Sequence, residues 1–193
     1  MGDRENTLSQ ATFRQVLRRE TDDHHEALDR SLGALDLTAR GAYATFLSIQ
    51  YAARRPIENW AERNCPPDLR PPPQTALIAQ DLVSLGRTLP IPFCADIFDA
   101  PAEGAMGLAW TLAGSAMGNR LLLKRVRSGH ADLPTTFLSD DTMAQFLAAI
   151  RPALDQPARS EPALGSAIAA ARAVFAYFAS TTARMVPPIE KAA

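Results

Sequence analysis

The chain has 193 residues, 47% of them hydrophobic, and a formal charge of -1 from 20 basic and 21 acidic side chains. That is enough apolar material for one core without metals or disulfides, and the lack of a basic excess speaks against a nucleic-acid partner. Cys65 and Cys94 have neither a CxxC spacing nor a nearby histidine, which excludes a zinc site or a disulfide framework; no signal-peptide core or bilayer-length apolar run stands out, so a cytoplasmic domain with no membrane contact is expected.

Proline punctuates the chain, and between prolines it is rich in Ala, Leu and Arg, which are strong helix formers. A first helix is expected over residues 9–31, with Phe13, Leu17, Thr21, Leu28 and Leu32 on one stripe. A second spans 38–63 and buries Tyr43, Phe46, Leu47 and Tyr51, with a kink or break at Pro56. A third runs from 74 to 85 and stops at Gly86. The apolar stretch 94–126 follows, interrupted by Gly104, Gly107, Gly114 and Gly118. Asp140 or Asp141 can cap a helix through Leu154, and Ser160-Glu161-Pro162 opens the last one, which carries Ile168, Val174, Phe175 and Phe178. Hairpin dipeptides and alternating β-branched runs are nearly absent. The prediction is an all-α, single-domain bundle of about six or seven helices over residues 9–182, with a flexible N-terminus (1–8) and a C-terminal tail (183–193).

Two places are hard to explain as ordinary bundle. The first helix carries His24 and His25, and a neutral imidazole on a packed helix is a natural axial ligand for heme iron, although a single helical histidine is more often a satisfied core or surface residue. Periodicity puts His24 near the middle of the apolar stripe and His25 at its edge, where a groove could form. The other place is the segment 107–120, in which Gly114 and Gly118 stand at i and i+4 amid Ala and Ser. Each interior glycine costs about 1 kcal/mol against Ala, so the pair needs a reason. Either another helix approaches closely, or a flat ligand meets backbone there with a local bend between the glycines. The basic groups Arg18, Lys124 and Arg125 could meet the carboxylates of such a ligand, or simply be solvated. His130, after Gly129, reads as an exposed histidine with no role.

At this point the chain resembles the heme oxygenase family, above all its bacterial members. The motif Leu-basic-x-x-Thr-x-x-x-His is met by Leu17, Arg18, Thr21 and His25. The distal pattern Gly-Ser-x-Leu-Gly-Gly stands as Gly114-Ser115-Ala116-Met117-Gly118-Asn119. Tyr43-x-x-Phe46-Leu47, Leu77-x-x-x-Asp81-Leu82-x-x-Leu85-Gly86 and the Ala- and Phe-rich last helix extend the resemblance over most of the chain. It implies a heme-oxygenase-like fold with His25, rather than His24, as the axial ligand to heme iron. Arg18 would hold a propionate; Thr21, Trp110 and, from their place beyond Gly118, Lys124 and Arg125 are the further expected heme contacts. Gly114, Ser115, Gly118 and Asn119 are the implied catalytic distal residues, with Ser115 or Asn119 holding water that supplies protons. Trp110 stands near a position where relatives carry Tyr, and Asn119 replaces the second closing glycine.

The implied activity is oxygen-dependent opening of heme to biliverdin, carbon monoxide and ferrous iron. Heme is both substrate and cofactor, molecular oxygen is the co-substrate, and an external reductase or ferredoxin is the electron donor. Two other functions fit parts of the sequence. A protein of this fold could bind heme or a related tetrapyrrole without turnover. A di-iron oxidase could use Glu20 with His24, or Glu58 with Glu62, though the later helices offer few inward acids beyond Glu103 and Glu161 near helix starts. A purely structural bundle explains the composition but not the joint appearance of histidine motif and distal glycines.

Overall fold

A computed structural model describes residues 11–91, 98–129, 132–158 and 161–186. The expectations placed on residues 1–8, Cys94, His130, Ser160 and the tail from 187 lie outside the described residues. Helix α1 (Phe13–Gly33) is followed by α2 (Arg40–Asn64), α3 (Thr75–Ser84), α4 (Ala105–Gly129), the single turn α5 (Thr136–Ser139), α6 (Thr142–Leu154) and α7 (Glu161–Met185). Short 3₁₀ turns, Pro67–Leu69 and Ala102–Gly104, precede α3 and α4. Among the described residues there is no strand, only an isolated bridge between Thr12 and Pro157.

The helix ends follow local chemistry. Thr12 and Gln15 form a capping box at the start of α1, each side chain bonding the other's backbone N–H. Gly86 takes the left-handed conformation (φ 70°) just past α3, as a C-terminal stop requires. Of the two aspartates before α6, Asp141 holds the N-cap position, but Asp140 does the capping: its Oδ2 accepts from Thr142 N at 3.1 Å. Pro162 lies in the first turn of α7, where a missing N–H costs nothing. Pro56, expected to kink or break its helix, sits inside an α2 that runs unbroken to Asn64. Gly107, Gly114 and Gly118 likewise fall within one continuous α4.

The single turn α5 has no counterpart in the sequence prediction. Its origin is Asp81, a fully buried carboxylate on α3 whose two oxygens accept from Thr136 N (3.0 Å) and Phe137 N (2.9 Å). A negative group on the two leading N–H donors satisfies them and caps a turn too short to persist alone.

The apolar interior falls into two clusters. One joins Leu17 of α1, Ile57 and Trp60 of α2, Leu108 and Leu112 of α4, Leu154 of α6 and the face Ala167, Ala170, Ala171, Val174 and Phe178 of α7. The other joins Tyr43, Phe46, Leu47 and Tyr51 with Ile78 and Leu82 of α3, Val126 of α4 and Phe137 of α5. α7 is the common floor, packing against α1, α2 and α4. By length and composition its stretch Pro162–Met185 could cross a bilayer; here its small apolar face lies in the core.

Candidate functional site

α1 and α4 both pack lengthwise on α7 and scarcely touch each other. Each is tied to that floor by contacts that only certain residues permit. On α1, Leu17 and Thr21 are buried, and Arg172 of α7 reaches Glu20 with bonds of 3.0 Å to its carbonyl and 3.0 Å to its carboxylate. On α4, Gly107 abuts α7: a Cβ there would lie 1.8 Å from the Ala167 carbonyl oxygen. Gly107 is therefore explained by helix packing.

Gly114 and Gly118 are not. A Cβ added at either meets nothing within 4 Å, so the close approach of another helix, open as an explanation from sequence, is not their reason. With Met117 and Leu121 they form one stripe at i, i+3, i+4 and i+7, and those two apolar side chains are 72% and 60% exposed. Trp110, half-buried against the core, continues the stripe toward the N-terminus. The result is an apolar face with a side-chain-free centre, on a helix whose residues up to Ala116 are buried or half-buried.

The histidines sit elsewhere than periodicity predicts. His24 is exposed, not buried: residues 22–27 of α1 are left in the open between the buried Thr21 and the half-buried Leu28. His25 is also exposed, yet it is held in place. Its Nδ1 lies 3.2 Å from Asp29 Oδ2, and its ring meets the edge of Phe175 on α7 at 5.8 Å between centroids. The Asp29 contact occupies Nδ1 and leaves Nε2 as the free ring nitrogen, the arrangement usual for a metal-ligating histidine.

The remaining predicted residues differ in their surroundings. Arg18, Lys124 and Arg125 are exposed and make no ion pair among the described residues, so their charges are free for an anionic ligand. Thr21 is buried and donates its hydroxyl to the Leu17 carbonyl at 2.8 Å, supporting the helix one turn before His25. Asn119 is only 8% exposed and lies about 140° around α4 from Gly114, turned into the bundle. Ser115 stands at the border of the open stripe. Its hydroxyl donates to the Leu112 carbonyl (2.7 Å) and accepts from Arg54 Nη2 (2.8 Å).

Arg54 was missed in the sequence. It is the largest fully buried side chain, 1% exposed, bonded to Gln50 Oε1 at 3.2 Å and stacked between Phe137 (5.3 Å) and Phe178 (5.9 Å). Burial pulls its guanidinium down to about 10, with Glu58 four residues on working the other way, so the group is still a cation at neutral pH. Its Nη1 is buried without a hydrogen-bond partner. A signal was present, because Arg54 falls on the apolar stripe of α2 with Tyr43, Leu47 and Ile57. A guanidinium on a core stripe is uncommon enough to mark a site.

No comparable arrangement suits two irons: no group of three or more His, Cys, Asp or Glu side chains able to hold a metal exists among the described residues. Glu20 is held by Arg19 and Arg172, and Glu58 caps α3 through Gln74 N (2.8 Å) and Thr75 N (3.3 Å).

No protein-family model matches the chain, and no curated protein matches its sequence. Solved structures do. The NO- and CO-bound heme oxygenase of Neisseria meningitidis superposes with a TM-score of 0.69 at 18% identity, over 90% of this chain and 92% of that one. The heme oxygenase of Leptospira interrogans gives 0.66 at 19% identity, over 90% of this chain and all of that one. At such identities the likeness speaks for architecture alone: the chain has the helical fold of these bacterial heme oxygenases.

Proposed function

We propose that the chain is a cytoplasmic heme oxygenase, binding heme between α1 and α4 and opening it with molecular oxygen and electrons from an external reductase or ferredoxin. The observation that carries this reading is the open face of α4, where two interior glycines have no packing partner and stand beside exposed Met117 and Leu121. A planar apolar molecule is what such a face fits. His25 supplies a ring nitrogen on the opposite wall, with Asp29 fixing which nitrogen is free. Arg18, Lys124 and Arg125 are the unpaired cations that would meet the propionates. Heme, once bound, supplies the iron that activates oxygen and the ring that is opened, to biliverdin, carbon monoxide and ferrous iron.

The chain's own part is to bind, orient and exclude. Gly114 and Gly118 let backbone approach the ring, and Trp110 with Leu121 closes the apolar ends of the face. Ser115 acts as an acceptor, because its one proton is committed to Leu112. That commitment, together with the inward turn of Asn119, favours a second reading in which heme is held without turnover: neither group is placed to hand on a proton.

Titration of the purified protein with hemin, beside His25→Ala, followed by ascorbate or a ferredoxin system in air, tests both. Saturable one-to-one uptake that loses its axial-histidine spectrum in His25→Ala, then bleaches to a biliverdin spectrum, is the expected result. Stable heme without bleaching establishes the second reading. Failure of the wild type to take up hemin refutes both.

A further inference from the structure

Arg54 is unusual in three independent ways. It is a charged side chain with 1% exposure, it bonds directly to the serine at the border of the open α4 face, and one of its N–H groups has no acceptor. A buried donor left unpaired is costly, more so on a charged group, and well-packed apolar side chains of similar volume often fill such a core position at no loss of stability. Packing therefore does not explain why arginine stands here.

The contacts around it supply a reason. Phe178 lies under the guanidinium, and Phe175, one turn earlier on α7, touches the ring of His25. One turn of the floor helix thus separates a residue gripping the histidine from a residue gripping Arg54. Gln50 and the two rings fix the guanidinium plane, and Glu58, with both carboxylate oxygens engaged at the start of α3, is not free to neutralise it by direct pairing. The guanidinium is a fixed, buried positive charge whose Nη2 reaches the serine at the border of the open α4 face.

We propose that Arg54 is a positioning residue for the oxygen-binding side of the cleft: it fixes Ser115 through Nη2 and holds a positive charge behind that hydroxyl. It cannot relay protons at neutral pH, since it stays charged; its action is to bias the local field toward negative charge and to orient an acceptor. This inference rests on the heme-binding reading above.

The test uses full-length protein loaded with hemin: wild type, Arg54→Met, Arg54→Lys and Ser115→Ala. Two spectroscopic readouts are independent of turnover, namely the pH midpoint of the acid–alkaline transition of the ferric complex and the infrared C–O stretch of the ferrous carbon monoxide complex. Removing the cation in Arg54→Met is expected to raise the midpoint by about half a unit or more and to move the C–O stretch to higher frequency. Arg54→Lys keeps the charge and stays closer to wild type. Ser115→Ala removes the anchoring bond but not the charge, and moves both readouts part of the way in the same direction. Arg54→Met that folds, takes up hemin one-to-one and shows wild-type values for both readouts overturns the proposal and leaves Arg54 a structural residue. If Arg54→Met does not fold, Ser115→Ala decides: unmoved readouts overturn the proposal, and a shift sustains it. Absence of hemin uptake by the wild type is a different failure, since it removes the function on which the inference rests.

Discussion

Two kinds of glycine share α4, and single methyl groups distinguish them. At Gly118 a Cβ enters open space, so Gly118→Ala recovers the helix-propensity difference of about 1 kcal/mol. For a chain of this size that is a gain of about 2–4 °C in the melting temperature of the ligand-free protein. At Gly107 the same methyl meets three backbone atoms of Ala167: its oxygen at 1.8 Å, its carbonyl carbon at 2.6 Å and its Cα at 2.9 Å. No rotamer change relieves a clash with backbone, so α4 and α7 must separate. Overpacking of this kind costs about 3 kcal/mol. Against the 1 kcal/mol recovered from propensity, the net loss is about 2 kcal/mol, or about 4–8 °C. Thermal unfolding followed by circular dichroism reads both changes. Hemin titration then reads the reverse order: Gly118→Ala, although more stable, puts a methyl into the ligand's space and weakens binding about tenfold or more. A lowered melting temperature for Gly118→Ala would refute the claim that this face is open. Unchanged hemin affinity in that variant would refute the claim that the open face is the ligand's.

Removing the Asp81 carboxylate leaves Thr136 N and Phe137 N without their acceptor in a buried setting, so Asp81→Ala is expected to lose about 2–4 kcal/mol in urea unfolding; a loss below about 1 kcal/mol would show that α5 does not depend on it. Burial pushes the Cys65 thiol from 9.0 up to about 11, with Arg70 working against it. The folded chain keeps that proton where the unfolded chain loses it, so the contribution of Cys65 to stability is complete below pH 9 and declines as the pH rises from 9 to 11. Measured in a Cys94→Ser background, the stability gap between wild-type Cys65 and Cys65→Ala should narrow between pH 8 and 10.5. A constant gap would contradict this.

Much of the bundle was readable because helix ends have local causes. Gly86 past α3, the aspartates before α6 and Pro162 in α7 act within one turn of themselves, and each is where the sequence points. Pro56 shows the limit of that rule, since tertiary packing on both sides keeps α2 continuous through a residue that should interrupt it. The single turn α5 was illegible because its cap comes from Asp81, 55 residues away in the chain. The site was half legible. The histidine and glycine positions are motif-like, but periodicity misjudged His24, since a helix stripe says which side is apolar and not how much of that side its neighbours cover. Gly107 and Gly114 look alike in sequence, and only the position of α7 separates a packing glycine from an open one. Arg54 is hard to see because a cation in a helical sequence ordinarily reads as a surface residue; its place on the apolar stripe of α2 is the clue to its burial.

The seam that Arg54 occupies has a consequence for how the molecule opens. Phe178 beneath it belongs to one apolar cluster and Phe137 above it to the other, so the two cores meet across a cation and not through continuous hydrocarbon. Cooperativity is weakest at such a boundary. In native-state hydrogen exchange the amides of α3 and the first half of α2 should therefore open as one unit, and those of α1 with the last helix as another. Ligand added to the cleft would then slow exchange in the second unit while leaving the first nearly unaltered.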